Sequence, residues 1–267
     1  MNSDIKLFFD ENKIEYFAAL DYRDCKESAP HIMEREGFIP KSVILFLIPY
    51  YAGAPKNISA YAASYDYHIF IKKTTEALIS RLKNIYPNAS FAAYGDHSPI
   101  SECHAAVIAG LGVFGDNGLL INEKYGSFVF VADVVSDIEP ELLGTVKFEV
   151  KTCSHCGRCR AACPTKILSG EGADCLSAIT QRKGELADEE VELMKKCDTV
   201  WGCDLCQSAC PHNFSPKLTP IPFFYEDRID LLTSEVLKAL SREEFKKRAF
   251  GWRGRAVVKR NLEKLGY

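Results

Sequence analysis

Along the first 150 residues, apolar positions follow two alternating rhythms. Ser42–Pro49 is an unbroken apolar run closed by proline, the pattern of a strand buried on both faces. Over residues 65–86, Ile71, Thr75, Leu78, Leu82 and Ile85 recur at helical spacing, which predicts an amphipathic helix ended near Pro87. Residues 89–94 read as a short strand and residues 102–109 as a helix, broken by Gly110, Gly112 and Gly115. Residues 127–135 are rich in valine and phenylalanine and read as a second buried strand. Beyond residue 150 the rhythm changes. Helices are predicted at about 173–182 and 188–197, a proline-containing connection at 216–222, and a helical tail from Leu231 onward. Ser241-Arg-Glu-Glu244 has the form of a capping box, in which serine and glutamate satisfy each other's free backbone amides. The pattern predicts an α+β fold in three segments, residues 1–150, 151–215 and 216–267.

A chain of 267 residues accommodates one large domain or two smaller ones with real cores. The apolar fraction of 47% and charged fraction of 26% are those of an ordinary globular protein. A net charge of −3 gives no global pull toward nucleic acid. No run of apolar residues is long enough for a membrane span, and the N-terminus lacks the basic and apolar regions of a secretory signal, so the expected location is the cytoplasm with no membrane partner. The eleven cysteines sharpen the picture. Only Cys25 and Cys103 precede residue 150, and the other nine fall between positions 153 and 210. A disulfide scaffold spreads its cysteines through a small secreted chain; dense clustering in a cytosolic-looking one points to metal.

Cys153-Ser-His-Cys156-Gly-Arg-Cys159-Arg-Ala-Ala-Cys163-Pro164 fits C-x2-C-x2-C-x3-C-P at every position. Three thiolates at this spacing wrap one face of a 4Fe–4S cubane, while the fourth projects to a neighbouring cluster. A zinc ribbon pairs two C-x2-C knuckles and needs neither the further cysteines nor the proline. The second motif, Cys203-Asp-Leu-Cys206-Gln-Ser-Ala-Cys210-Pro211, has Val200 where its first ligand is due. Two clusters need eight thiolates and the motifs supply seven. Ligand exchange assigns Cys153, Cys156, Cys159 and Cys210 to one cluster, and Cys163, Cys203, Cys206 and one more to the other. Spacing leaves Cys175 and Cys197 both open as the eighth ligand.

The flanking sequence adds a resemblance. Tyr94-Gly-Asp96-His-Ser-Pro99-Ile-Ser-Glu102 precedes Ala109-Gly-Leu-Gly-Val-Phe-Gly115-Asp-Asn117, and Tyr125-Gly126-Ser127 opens the second buried strand. With the two cysteine motifs, this order resembles the epoxyqueuosine reductases, which act in queuosine synthesis on tRNA. The resemblance runs from about Tyr61 to the C-terminus. It takes in Asp66-Tyr67-His68, Cys175-Leu-Ser177-Ala-Ile-Thr180, Trp201-Gly202 and the basic helix near Trp252, and it is poor over residues 1–40. It implies a nitroreductase-like, cobalamin-binding α/β domain, then a bacterial double 4Fe–4S ferredoxin-like domain and a helical basic tail. It also implies Cys175 as the eighth cluster ligand, Asp96 as the proton-donating acid, and Tyr67, Asp96, Asn117, Ser177, Thr180, Trp201 and Gly202 as cobalamin contacts.

Read as a residue alone, Asp96 suits a turn or helix cap. As the family's acid it must hold a proton near neutral pH, which desolvation beside a large apolar cofactor would favour. The D-x-H-x-x-G signature of a cobalt-ligating histidine begins at Asp66-Tyr-His68 but fails at Ile71, so His68 is expected to be a partly buried helix histidine. Two departures stand out. Asp116 occupies a position where the family usually has lysine, a charge reversal expected to alter contacts to the corrin side chains or to substrate. The resemblance is to a short member lacking the C-terminal helical repeats that help hold tRNA. From Arg242 to Lys264, nine Lys or Arg face three Glu, and Trp252-Arg253-Gly-Arg255 with Lys259-Arg260 are candidates for meeting tRNA phosphates. The expected function is reduction of epoxyqueuosine in tRNA, with electrons from a low-potential donor such as ferredoxin or flavodoxin. The alternatives are a dehalogenase-like reductase of a small organic substrate, with Tyr94 as proton donor, and a non-enzymatic iron–sulfur or cobalamin carrier.

Overall fold

The structure, a computed structural model, describes residues 2–267. The chain forms two compact units, one of Met1–Pro49 with Phe70–His155, the other of Tyr50–Ile69 with Cys156–Tyr267. The fold is mixed α and β.

The first unit is built on an antiparallel sheet of β1 (Phe17–Asp21), β2 (Ser42–Pro49), β3 (Phe91–Gly95) and β6 (Val129–Ser136), in the order β1-β2-β6-β3. A short hairpin, β4 (Val113–Phe114) and β5 (Leu120–Ile121), stands apart from it. All eight residues of β2 are buried, as its continuous apolar run requires. The helices are α1 (Ser3–Glu11), α2 (Met33–Glu36), α3 (Tyr67–Ile85, entering this unit at Phe70), α4 (Glu102–Ile108) and α5 (Pro140–Leu143). On one sheet face, Phe9 of α1 stacks on Phe17 at 4.3 Å and lies 5.3 Å from Phe46. α3 crosses the same face so closely that a Cβ on Gly95 would stand 2.8 Å from Ile71 Cδ1. Only glycine ends β3 there without displacing the helix. The other face packs Leu20, Val43, Leu45, Leu47 and Val135 under Ala105, Ala106 and Ile108 of α4. The predicted strands at 42–49, 89–94 and 127–135 and helices at 65–86 and 102–109 all form, within a residue or two of their expected ends.

The second unit carries seven short helices: α6 (Arg158–Ala162), α7 (Leu176–Gln181), α8 (Asp188–Lys196), α9 (Leu205–Ser208), α10 (Ser234–Ala239), α11 (Arg242–Lys246) and α12 (Arg255–Leu265). Its core gathers Trp201, Leu232, Phe245, Phe250, Val258 and Leu262 around Ala62 and Ala63. Side chains on backbone groups do much of the joining. Asn57 Nδ2 donates to Leu232 O at 2.8 Å while its Oδ1 accepts from Leu232 N at 2.9 Å. Asn261 Nδ2 donates to Thr180 O at 2.7 Å and Val200 O at 2.8 Å. The capping box forms as expected: Glu244 N donates to Ser241 Oγ at 3.1 Å, and Ser241 N to Glu244 Oε2 at 2.8 Å. The tail is not one continuous helix. The box starts α11 afresh after extended Leu240, and Gly254, at φ +90°, separates α12 from the turn before it. No helix among the described residues is long and apolar enough to cross a membrane.

Candidate functional site

The cysteines are free thiols on well-defined supports. In the first unit, residues 151–153 pair with the hairpin: Phe114 N donates to Lys151 O at 2.8 Å and Cys153 N to Phe114 O at 2.9 Å. In the second unit, α6 carries Cys159, α9 carries Cys206, and these two helices pack on each other. The two motifs thus meet, as ligand exchange between neighbouring clusters requires. Burial works to raise the Cys163 thiol, but N–H groups of Leu168, Thr165 and Ile167 and the Thr165 hydroxyl outweigh it and hold the thiol below its ordinary range. Such donors favour a thiolate, the form a metal binds. Cys175, exposed at the N-cap of α7, is close enough for its charge to act on Cys203, which also feels Cys206. Cys197 ends α8 and feels only the charge of Lys196.

Around Gly202 the second unit forms a tight polar corner. Gly202, at φ +75°, donates its N–H to Thr180 Oγ1 at 3.0 Å, and a Cβ there would stand 2.4 Å from Ser59 Cβ. Thr180 Oγ1 in turn donates to Ser177 O at 2.8 Å. Trp201 is 0% exposed and donates Nε1–H to Tyr61 Oη at 3.0 Å. Thr180 and Trp201 therefore place their polar groups inside the unit, while Ser177 is half-buried. Tyr67 is buried, with its ring edge-on to Tyr61 at 6.3 Å. Asp204, to which the sequence reading gave no role, accepts from Ser59 Oγ at 2.5 Å and Ala60 N at 2.6 Å. It fastens residues 59–60 to the second cysteine motif; a carboxylate inside that motif was the available signal.

His68 is not partly buried. Its side chain is 52% exposed, with Nδ1 2.8 Å from Asp66 Oδ1, because Asp66 accepts from His68 N at 3.0 Å and draws the ring outward at the start of α3.

In the first unit, Asp96 follows β3 in the left-handed region at φ +69°, where aspartate is better tolerated than most residues. It is exposed, and the helix cap is Ser101, so Asp96 is not the cap of α4. Its N–H donates to Glu102 Oε1 at 3.1 Å. Burial, and then the charges of Asp133 and Asp96, push the Glu102 carboxyl up to about 8, with the Asp96 N–H opposing. Asp133, in the middle of β6, is 0% exposed, and burial pushes it up to about 7. Tyr94, the alternative donor, commits its hydroxyl to Glu36 Oε1 at 3.0 Å, and burial holds the phenol well above its usual range.

Asn117 accepts from Leu119 N at 3.3 Å in the β4–β5 turn, and its buried Nδ2 has no hydrogen-bond partner. Next to it, Asp116 Oδ1 lies 2.7 Å from His155 Nδ1, and His155 Nε2 lies 3.0 Å from Thr152 Oγ1. The charge reversal at Asp116 is thereby directed at the first cysteine loop.

The basic tail is partly internal. Arg255 donates to Leu237 O and, at 2.8 Å, to Leu240 O; Arg260 donates to Gly184 O and, at 2.8 Å, to Arg182 O; and Arg248 is buried, donating to Asp227 O at 2.6 Å. Trp252 remains 61% exposed, with the Arg253 guanidinium 3.8 Å from its ring centre.

Fold and cysteine set define an iron–sulfur protein of the double-cluster class. Residues 152–213 match the 4Fe-4S double cluster binding domain family. The chain is 31% identical over 238 residues to the epoxyqueuosine reductase of Leadbetterella byssophila, covering 83% of this chain and 76% of that protein. It is 33% identical over 213 residues to that of Lactococcus garvieae, covering 74% of this chain but 57% of that protein's length. The solved epoxyqueuosine reductase of Streptococcus thermophilus superposes with a TM-score of 0.81 at 23% identity, over 99% of this chain and 81% of that one. The chain belongs to the epoxyqueuosine reductase family.

Proposed function

We propose that this protein is a cytoplasmic, cobalamin-dependent iron–sulfur oxidoreductase that reduces epoxyqueuosine to queuosine in tRNA, with the first unit as a nitroreductase-like domain. The observation that carries this reading is Asp96, an exposed acid held on the end of a rigid strand, in a family chain that also keeps a full set of cluster cysteines. Cys153, Cys156, Cys159 and Cys210 would hold one cluster, and Cys163, Cys175, Cys203 and Cys206 the other. Cys175 is preferred to Cys197 because it is the one whose charge reaches Cys203.

The residues present suit a corrin. In the first unit the orphaned Nδ2 of Asn117 can donate to a ligand amide, and in the second the Ser177 hydroxyl, which accepts from Gln181 Nε2 at 3.0 Å, is half open, while Gly202 is a glycine because Ser59 packs against it. Within the second unit, Tyr67, Thr180 and Trp201 would contribute shape rather than free polar groups. Bound clusters and cobalamin would supply single electrons at low potential and a strongly nucleophilic metal centre, fed by a donor such as ferredoxin or flavodoxin. Asp96 gives its carboxyl proton to the epoxide oxygen as the C–O bond breaks. Two electrons and two protons turn the epoxide into an alkene and water. Exposed Trp252, with the half-buried Arg253 over its ring and exposed Lys246 and Lys247, would meet the tRNA through a base or its phosphates.

Asp96→Asn tests the assignment. The variant should retain iron and bind cobalamin like the wild type while losing turnover of epoxyqueuosine-containing tRNA by at least ~100-fold. Wild-type turnover in the variant would refute the role.

A further inference from the structure

Electron transfer falls off steeply with distance, so a protein donor has to touch its acceptor close to the metal. On the proposed reading of this chain, the cluster of Cys163, Cys175, Cys203 and Cys206 is the one beside the corrin, because Cys175 opens the helix that carries Ser177 and Thr180. Electrons then enter at the other cluster. Three of its four ligands, Cys156, Cys159 and Cys210, lie in the second unit. Two residues bracket them. Arg158 stands between Cys156 and Cys159 at the start of α6, and Phe214 follows Cys210 by four positions. Their side chains meet, with the Arg158 guanidinium 5.3 Å from the centre of the Phe214 ring. The ring is 61% exposed, yet its backbone is anchored: Asn213 Nδ2 donates to Gln207 O at 2.8 Å and Asn213 N to Cys210 O at 2.8 Å. An aromatic ring held open to water with a guanidinium over its face has the composition of an interface, not of a core. Leu205, at the start of α9, and Leu218 are further large apolar side chains left exposed in the same stretch.

The charge around this contact is one-sided. The chain carries 36 Asp and Glu and a net charge of −3, yet neither residues 153–170 nor residues 205–225 contain a single acid. Histidines aside, their charged side chains are Arg158, Arg160, Lys166 and Lys217, all exposed. Lys166 is offset by Glu171 at 3.2 Å. Asp204, just before the second segment, turns its carboxylate inward onto Ser59 Oγ and Ala60 N. A basic, partly apolar surface on an acidic protein selects an acidic partner and steers its approach. Two anions are in question, the tRNA and a donor protein. The donor is favoured, because the surface lies on the cluster loops and its exposed leucines offer nothing to a phosphate backbone.

We propose that Arg158, Phe214 and Lys217 form the docking surface for the electron donor, a small acidic redox protein carrying a low-potential flavin or iron–sulfur centre. The inference rests on the reading of the chain as a two-cluster reductase. Arg158 and Lys217 meet carboxylates of the donor, and Phe214 fills the desolvated centre of the contact. Each docking event passes one electron. The donor is oxidised by one electron, the cluster of Cys153, Cys156, Cys159 and Cys210 is reduced by one, and no bond or proton moves. Two such events supply the two electrons that reduction of the epoxide consumes.

The test uses the cluster-loaded protein and an acidic bacterial ferredoxin as the probe. Affinity is measured calorimetrically with oxidised ferredoxin, and cluster bleaching is followed by stopped flow with reduced ferredoxin, beside dithionite, which needs no docking. The wild-type rate constant with ferredoxin should fall steeply with salt. Lys217→Glu, outside both cysteine motifs, should lower affinity and second-order rate constant ~10-fold, and adding Arg158→Glu should bring the loss to ~100-fold with a weaker salt dependence. Phe214→Ala should weaken affinity ~10-fold and leave the salt dependence as it was. Iron content, bleaching by dithionite and affinity for a tRNA stem-loop should stay at wild-type values in Lys217→Glu and Phe214→Ala. Wild-type ferredoxin affinity in those two variants overturns the docking surface, as does loss of tRNA affinity in place of ferredoxin affinity. Docking and bleaching as expected, in protein that leaves epoxyqueuosine unchanged, support the surface and overturn the substrate reading, which separates the two failures.

Discussion

The two units place their chemistry by different means. In the first, a sheet does it: Asp96 sits where β3 ends, Asp133 is fixed by its register against Leu45 and Tyr94, and Glu102 is set by the start of α4. In the second, seven helices of four to eleven residues have little regular hydrogen bonding to hold them. Position there comes from Asn57, Asp204 and Asn261 on backbone groups, and would come further from the cysteines once they ligate the clusters. A sheet keeps a buried carboxyl in place against its own desolvation. Short helices with scattered side-chain bonds rely on the ligands they bind.

Iron removal should separate the units most sharply. Chelation under anaerobic conditions should strip hydrogen-exchange protection from α6 and α9 while amides of β2 and β6 stay protected. Equal loss in both units would contradict the comparison. Asn57→Ala should come next. It abandons two buried backbone groups and should destabilise the second unit by ~2–4 kcal/mol in denaturant unfolding of the iron-loaded protein.

The first unit should reveal itself through pH. Asp133 has its folded pKa raised from 3.8 to about 7, so its proton is kept by the fold and lost by the unfolded chain in between. Its contribution is complete below the unfolded value and is lost as pH rises through the folded one. Stability should therefore fall from about pH 4 to about 7, with Glu102 extending the fall from 4.5 to about 8. Asp133→Asn should flatten the lower part of that fall in melting temperature against pH; an unchanged slope would show that Asp133 ionises normally. The smallest effect expected is from Ser241→Ala, which removes one side of the capping box and should cost ~1 kcal/mol in the second unit alone.

Much of this was legible in the sequence. β2, α3, α4 and β6 follow from apolar spacing because each buries a continuous run or stripe. The capping box and the first cysteine motif are local patterns with one geometric solution. α1 and β1 escaped notice because Ile5, Phe8 and Phe9 form too short a stripe to stand out in a stretch of mixed charge. That residues 50–69 join the second unit depends on Asn57 and on Ser59 meeting Trp201, contacts over 140 positions apart that periodicity cannot see. Asp133 was visible as one carboxylate inside the valine-rich run 127–135, but its meaning needed Glu102 and Asp96 beside it. The count of basic residues in the tail overstated its free charge, since Arg248, Arg255 and Arg260 bind backbone carbonyls.

The central claim is reductive removal of the epoxide oxygen by this chain. It is tested most directly by incubating the anaerobic, cluster-loaded protein with cobalamin, a reduced low-potential donor and a tRNA stem-loop bearing epoxyqueuosine, then weighing the released nucleoside. The account predicts conversion to the nucleoside lacking that one oxygen, dependent on donor and cobalamin. Epoxyqueuosine recovered unchanged from protein shown to hold both clusters and cobalamin would contradict it.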